Sequence, residues 1–116
     1  IFSGKILKIP QNLENSKIEK EKAFLIFQKE LNNSYETYNN NLFILEVQEQ
    51  SLNTSNNNFL RNLEKYDIGI VSSIEFRNAQ LNLLNAKLSR NTARYEAKLS
   101  ELYFLKIAGK IIDASF

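Results

Sequence analysis

Carboxylates are the side chains in this sequence best suited to general acid–base work near neutral pH. Glu19, Glu21, Glu46, Glu49, Glu64, Asp67 and Glu75 are scattered along it, and none is spaced to pair with a base or a second metal ligand. His and Cys are absent, which removes the commonest general base, the commonest metal ligand and the thiol nucleophile together. There is no glycine-rich phosphate loop. The spacing therefore predicts no enzyme, no metal site and no cofactor. One segment groups its residues unusually: Tyr66-Asp67-Ile68-Gly69-Ile70-Val71-Ser72-Ser73-Ile74-Glu75. Its chemistry is recognition, with the apolar Ile68, Ile70 and Val71 gathered around a glycine that can turn the chain. Two readings stay open there: an exposed apolar contact site, or side chains that fold back and close the end of the element.

The elements that must hold this segment follow from what punctuates the chain. In 116 residues there are three Gly and one Pro, too few turn formers for an all-β or doubly wound fold. The length allows one ordinary domain. Fifteen Lys and Arg against thirteen Asp and Glu leave a net charge of only +2, and a charge so near balance argues against a nucleic-acid partner bound by phosphate neutralisation. The chain begins at Ile1 with no charged and apolar leader pattern, so it reads as a mature or internal fragment. The longest unbroken apolar run, Ala23 to Phe27, is far shorter than a membrane-spanning helix needs. Segment 1–12, with Gly4 and Pro10, reads as the end of a strand and a junction, since Pro is tolerated in a first helical turn. Segment 13–65 reads as one long helix and 66–72 as a turn. Ser72 stands three residues before Glu75, the signature of a capping box, so 73–109 reads as a second helix. Gly109 then occupies the C′ position, leaving 110–116 as an extension. Helices of roughly 50 and 36 residues span about 75 and 54 Å and need lengthwise packing.

Heptad spacing predicts how they pack. Leu31, Tyr35, Tyr38, Leu42, Leu45, Glu49, Leu52, Asn56, Phe59, Leu63 and Tyr66 alternate four and three along the first helix, a coiled-coil seam. On the second helix Ile74, Leu81, Leu84, Leu88, Tyr95, Leu102 and Leu105 form a comparable stripe, which the spacing assigns to pairing with the first helix. A further stripe of Phe76, Ala79, Leu83, Ala86, Arg90, Ala93, Ala97, Ser100, Phe104 and Ile107 lies about 200° away. A helix apolar or small on two opposed sides belongs in a wall with a neighbour on each flank, so this stripe reads as the face for an adjoining stave. Folding back at Gly69 brings Glu46 and Glu49 level with Lys87 and Arg90, predicting ion pairs that set register more than stability. The fold class is all-α: a long antiparallel two-helix coiled-coil hairpin.

The tip residues, and Ala79-Gln80, Leu83, Ala86-Lys87, Ala93-Arg94-Tyr95, Ala97, Leu102 and Gly109 after them, resemble the TolC family of outer-membrane efflux proteins. Ile1-Phe2-Ser3-Gly4 is similar to the segment where that family's last barrel strand passes into a helix. The resemblance spans nearly the whole chain. It implies one helical hairpin of a trimeric α-barrel in the periplasm, attached to an outer-membrane β-barrel by parts outside this chain. It implies a homotrimer that conducts substrates passively for efflux or type I secretion, working with a periplasmic adaptor protein and an inner-membrane pump. In that family the tip docks the adaptor and gates the duct; carried over, Tyr66, Asp67, Gly69, Ile70, Val71, Ser72 and Glu75 would be the tip residues. Val71 stands where some relatives carry an Arg that ties the closed gate. Two alternatives remain from other classes: a coiled-coil scaffold hairpin without a pore, and a periplasmic adaptor hairpin.

Overall fold

The computed structural model describes the backbone of residues 2–115 and the side chains of residues 12–113, and among the described residues the chain builds two α-helices and no strand. Helix α1 runs Phe2–Asp67 and α2 runs Ser73–Ser115. They fold back on one another into an antiparallel hairpin with extents of 101 × 21 × 13 Å. The long dimension matches the 66 residues of α1 at about 1.5 Å per residue.

Both helices outrun their sequence boundaries. The expected strand end and junction at 1–12 is helical from Phe2, with Ile1 outside the described residues. An isolated strand has no ladder partner here, whereas a helix satisfies its amides within one segment. Pro10 is thus inside α1 instead of marking its start. Gly109 is likewise inside α2 instead of ending it, because the left-handed backbone that makes a C′ glycine useful occurs, among the described residues, at Gly69 alone. Every described side chain of α1 from 12 to 26 is exposed, so pairing with α2 begins near Phe27 and α1 projects beyond its partner.

The seam between the helices has a different composition from the one the heptads suggested. On α1 the covered positions are Leu31, Tyr38, Leu45, Leu52 and Phe59, alternating with Ser34, Asn41, Gln48, Ser55 and Asn62. The large apolar half of the predicted seam is therefore correct. Its other half is displaced by one residue: Tyr35, Leu42, Glu49 and Asn56 are exposed along the edge, and Leu63 is half-buried. On α2 the covered stripe is Phe76, Ala79, Leu83, Ala86, Arg90, Ala93, Ala97, Ser100, Phe104 and Ile107. Ala79, Ala93 and Ala97 are each only 4% exposed. The residues expected to face an adjoining stave thus pair with α1. Ile74, Leu81, Leu84 and Leu88, expected to pair with α1, face outward, at 71%, 51%, 52% and 56% exposure. Side-chain size explains the exchange. The large side chains α1 contributes fit as knobs into holes that small residues on α2 leave open, and small residues let the axes approach.

The polar members of the seam are satisfied locally. Ser34 Oγ donates to the Leu31 carbonyl at 2.8 Å and Ser100 Oγ to the Ala97 carbonyl at 2.9 Å, so these buried hydroxyls need nothing from the opposite helix. Asn41 Nδ2 donates across to the Glu96 carbonyl at 3.4 Å. The Tyr35 ring lies 5.5 Å from that of Phe104. Together these contacts fix the register.

Candidate functional site

Two regions have features that the hairpin itself does not use: the tip, and the outward face of α2.

The tip begins where α1 ends. Ile70 N–H donates to the Lys65 carbonyl at 2.8 Å and Gly69 N–H to the Tyr66 carbonyl at 3.1 Å. This is the Schellman arrangement, with Gly69 at C′ and φ of 78°. A β-carbon placed on Gly69 would meet nothing within 4 Å, so glycine is required for its backbone angle and not for close packing within the chain. Ser72 then caps α2: its Oγ accepts from Glu75 N–H at 3.2 Å, one of the two bonds of the capping box. Glu75 also places negative charge in the first turn, where the helix dipole favours it. The turn is therefore held from both sides by backbone chemistry.

Below the turn is an aromatic stack. Tyr66 lies 4.7 Å from Phe76 at an interplanar angle of 12°, and Phe76 lies 5.7 Å from Phe59. Tyr66, expected among the contact residues, thus joins the last turn of α1 to the first turn of α2. The apolar tip residues divide. Val71 is half-buried, while Ile68 and Ile70 are 70% and 68% exposed. Folding back accounts for Val71 alone. Ile68 and Ile70 stay largely in water.

The outward face of α2 is a second coiled-coil stripe. Ile74, Leu81, Leu88, Tyr95 and Leu102 recur every seven residues with Leu84 and Leu105 beside them, and all are exposed. The stripe lies nearly opposite the buried Ala79, Ala86, Ala93 and Ala97. The outward face of α1 differs: Glu36, Asn39, Glu46, Gln50, Asn53 and Asn57 are exposed there, interrupted by Phe43, Val47 and Leu60. The Asn runs of the sequence fall on this wetted side.

Charge follows the same division. Arg94 pairs across the hairpin with Glu49 at 3.3 Å, and Lys98 pairs with Glu101 along α2 at 3.3 Å. The predicted meeting of Glu46 and Glu49 with Lys87 and Arg90 is right in level and shifted in detail. Glu49, Lys87, Arg90 and Arg94 line one shallow groove, but Arg94 takes the carboxylate and Arg90 turns to Asn91 Oδ1 at 3.1 Å. Sequence reasoning missed the inward heptad Ser34, Asn41, Gln48, Ser55 and Asn62; its signal was the strict spacing of seven. Among the described residues no group of three or more acidic side chains could hold a metal, and no helix is long and apolar enough to cross a membrane. No protein-family model, curated protein or solved structure matches the chain.

Proposed function

We propose that the hairpin is one stave of a trimeric, TolC-like outer-membrane duct for efflux or type I secretion, with its tip in the periplasm docking an adaptor protein of an inner-membrane pump. The observation that carries this reading is the second apolar stripe of α2, which lies in water along nearly the whole helix although the first is already occupied. A lone hairpin has no use for it, and a helix between two neighbours does. Ile68 and Ile70 add an apolar tip that nothing in the chain covers. The duct conducts passively; the pump supplies the energy, and this segment contributes wall and docking surface. The test is export in cells that carry the parent gene. Gly69→Asp and Ile70→Asp should abolish resistance or secretion while trimers still assemble, and export unchanged by both variants removes the tip assignment.

One observation favours a second reading. The Asn-rich outward face of α1 lacks a continuous apolar stripe, and a closed wall wants two flanks on every helix. A hairpin that takes a single helical partner along α2, as a scaffold or an adaptor hairpin, needs only what is present. The oligomeric state of the parent protein separates the two: a trimer supports the duct, and a one-to-one complex with a helical partner supports the scaffold.

A further inference from the structure

Helix α1 carries two lines of residues that could complete its seam with α2, and it uses the more polar one. Both lines share Leu31, Tyr38, Leu45, Leu52 and Phe59. The line now turned inward is Ser34, Asn41, Gln48, Ser55 and Asn62. One residue further along each repeat stand Tyr35, Leu42, Glu49, Asn56 and Leu63. This second line has three large apolar side chains where the first has none, yet Tyr35 and Leu42 are 52% and 40% exposed. It is already engaged near one end, where the Tyr35 ring meets that of Phe104, and Leu63 near the other end is half-buried.

Little ties the inward line to α2. Ser34 Oγ donates to the Leu31 carbonyl and Asn62 Nδ2 to the Asn58 carbonyl at 2.8 Å, both on their own helix. A side chain satisfied in this way loses no hydrogen bond on leaving a seam. Only Asn41 reaches across, at a long 3.4 Å to the Glu96 carbonyl.

The one charge on the second line has a base level with it. Arg90 belongs to the covered stripe of α2 and is half-buried, but it bonds its neighbour Asn91 at 3.1 Å and no carboxylate. Glu49 holds Arg94 at the edge instead, where the two side chains are 49% and 56% exposed. Glu49, Arg90 and Arg94 line the same groove, so exchanging Arg94 for Arg90 is a short move within it. A carboxylate that enters a seam needs such a partner.

We propose that α1 has two seats against α2, related by a rotation of roughly 50° about its own axis, half the step between successive residues. In the second seat Leu42 and Leu63 enter the seam, Glu49 leaves Arg94 for Arg90, and Asn41, Gln48 and Ser55 turn to water. Packed seams switch between discrete arrangements and do not deform continuously. Because α1 is one unbroken helix from Phe2 to Asp67, a turn applied at its projecting end is carried to the tip. The device belongs to the hairpin itself and holds for either function proposed above.

The test is distance measurement between paired spin labels in the full 116-residue chain, which has no cysteine of its own. Asn53→Cys with Lys87→Cys places labels on one groove, and Ile44→Cys with Thr92→Cys places them on the opposite groove; all four positions are exposed. Labelled chain is diluted with unlabelled chain so that only distances within one hairpin are read. Asn56→Leu with Arg94→Ala adds to the second line and frees Glu49. It should shorten the first distance and lengthen the second, each by about 4–5 Å for a side chain at the helix surface, with helicity by circular dichroism unchanged. Arg94→Ala alone should give a mixture of both distances, and Gln48→Leu with Ser55→Leu should hold the present ones. Arg90→Ala, added to the first variant, should abolish the shift. Distances unmoved by Asn56→Leu with Arg94→Ala, both distances lengthening together, or a shift that persists without Arg90 would each overturn the proposal.

Discussion

The two long edges of α2 contain much the same number of apolar residues and have opposite fates. The inner edge sets the small Ala79, Ala86, Ala93, Ala97 and Ser100 among the larger Phe76, Leu83, Arg90, Phe104 and Ile107, and α1 covers it. The outer edge is built from Ile74, Leu81, Leu88, Tyr95 and Leu102 and nothing covers it. The greasier stripe of a helix is thus not automatically the one its own hairpin buries. Choice of seam depends on fit with the partner, and α1 already supplies the large side chains Leu45, Leu52 and Phe59. A small-residue edge accepts these; the large-residue edge is left for a neighbour that brings its own shape.

One carboxylate placed on each edge separates the two most strongly. Leu83→Asp puts it in the inner seam and should cost about 3 kcal/mol through lost packing and a poorly solvated charge. Leu88→Asp on the outer edge should change stability by less than about 0.5 kcal/mol. Urea unfolding followed by circular dichroism measures both, and a larger loss from Leu88→Asp would reverse the assignment of the edges. At the tip, Gly69→Ala should cost about 1 kcal/mol through its positive φ alone, because its new methyl group meets nothing within 4 Å. Ser72→Ala should cost a similar or slightly smaller amount, about 1 kcal/mol, through loss of the cap on α2; thermal melts would rank the pair. The smallest effect belongs to the border between the edges. A double-mutant cycle on Glu49 and Arg94 should give a coupling below about 0.5 kcal/mol, since both side chains are half-exposed, and one on Glu46 and Arg90 should give none.

Much of the architecture was legible in the residues. Two long stretches free of Gly and Pro set two helices, Gly69 fixed the turn, and Ser72 with Glu75 fixed the start of α2, because backbone angles and capping bonds are local. Position a of the α1 seam was legible for the same reason: Leu31, Tyr38, Leu45, Leu52 and Phe59 repeat strictly. The partnering of the stripes was not. A helix pattern shows that two faces are apolar, but which one meets α1 depends on fit between residues far apart in sequence, such as the stacked rings of Phe59 and Phe76. The ends misled as well. Pro10 and Gly109 read as boundaries on local preference, yet a long helix can absorb a single unfavourable residue. At the candidate site, the exposure of Ile68 and Ile70 was an open question in the sequence. The stack of Tyr66 on Phe76 was hidden there too, because heptad spacing puts Phe76 on the face turned away from α1.

On the proposed reading the outer edge of α2 is a contact surface while the outer face of α1 is mostly wetted. It is tested most directly by photo-crosslinking in cells that make the parent protein, with one photoreactive residue at Leu88 and, separately, one at Gln50. Leu88 should yield a discrete adduct with a helical partner, and Gln50 markedly less. Adducts from Gln50 alone, or in equal measure from both, would contradict the account.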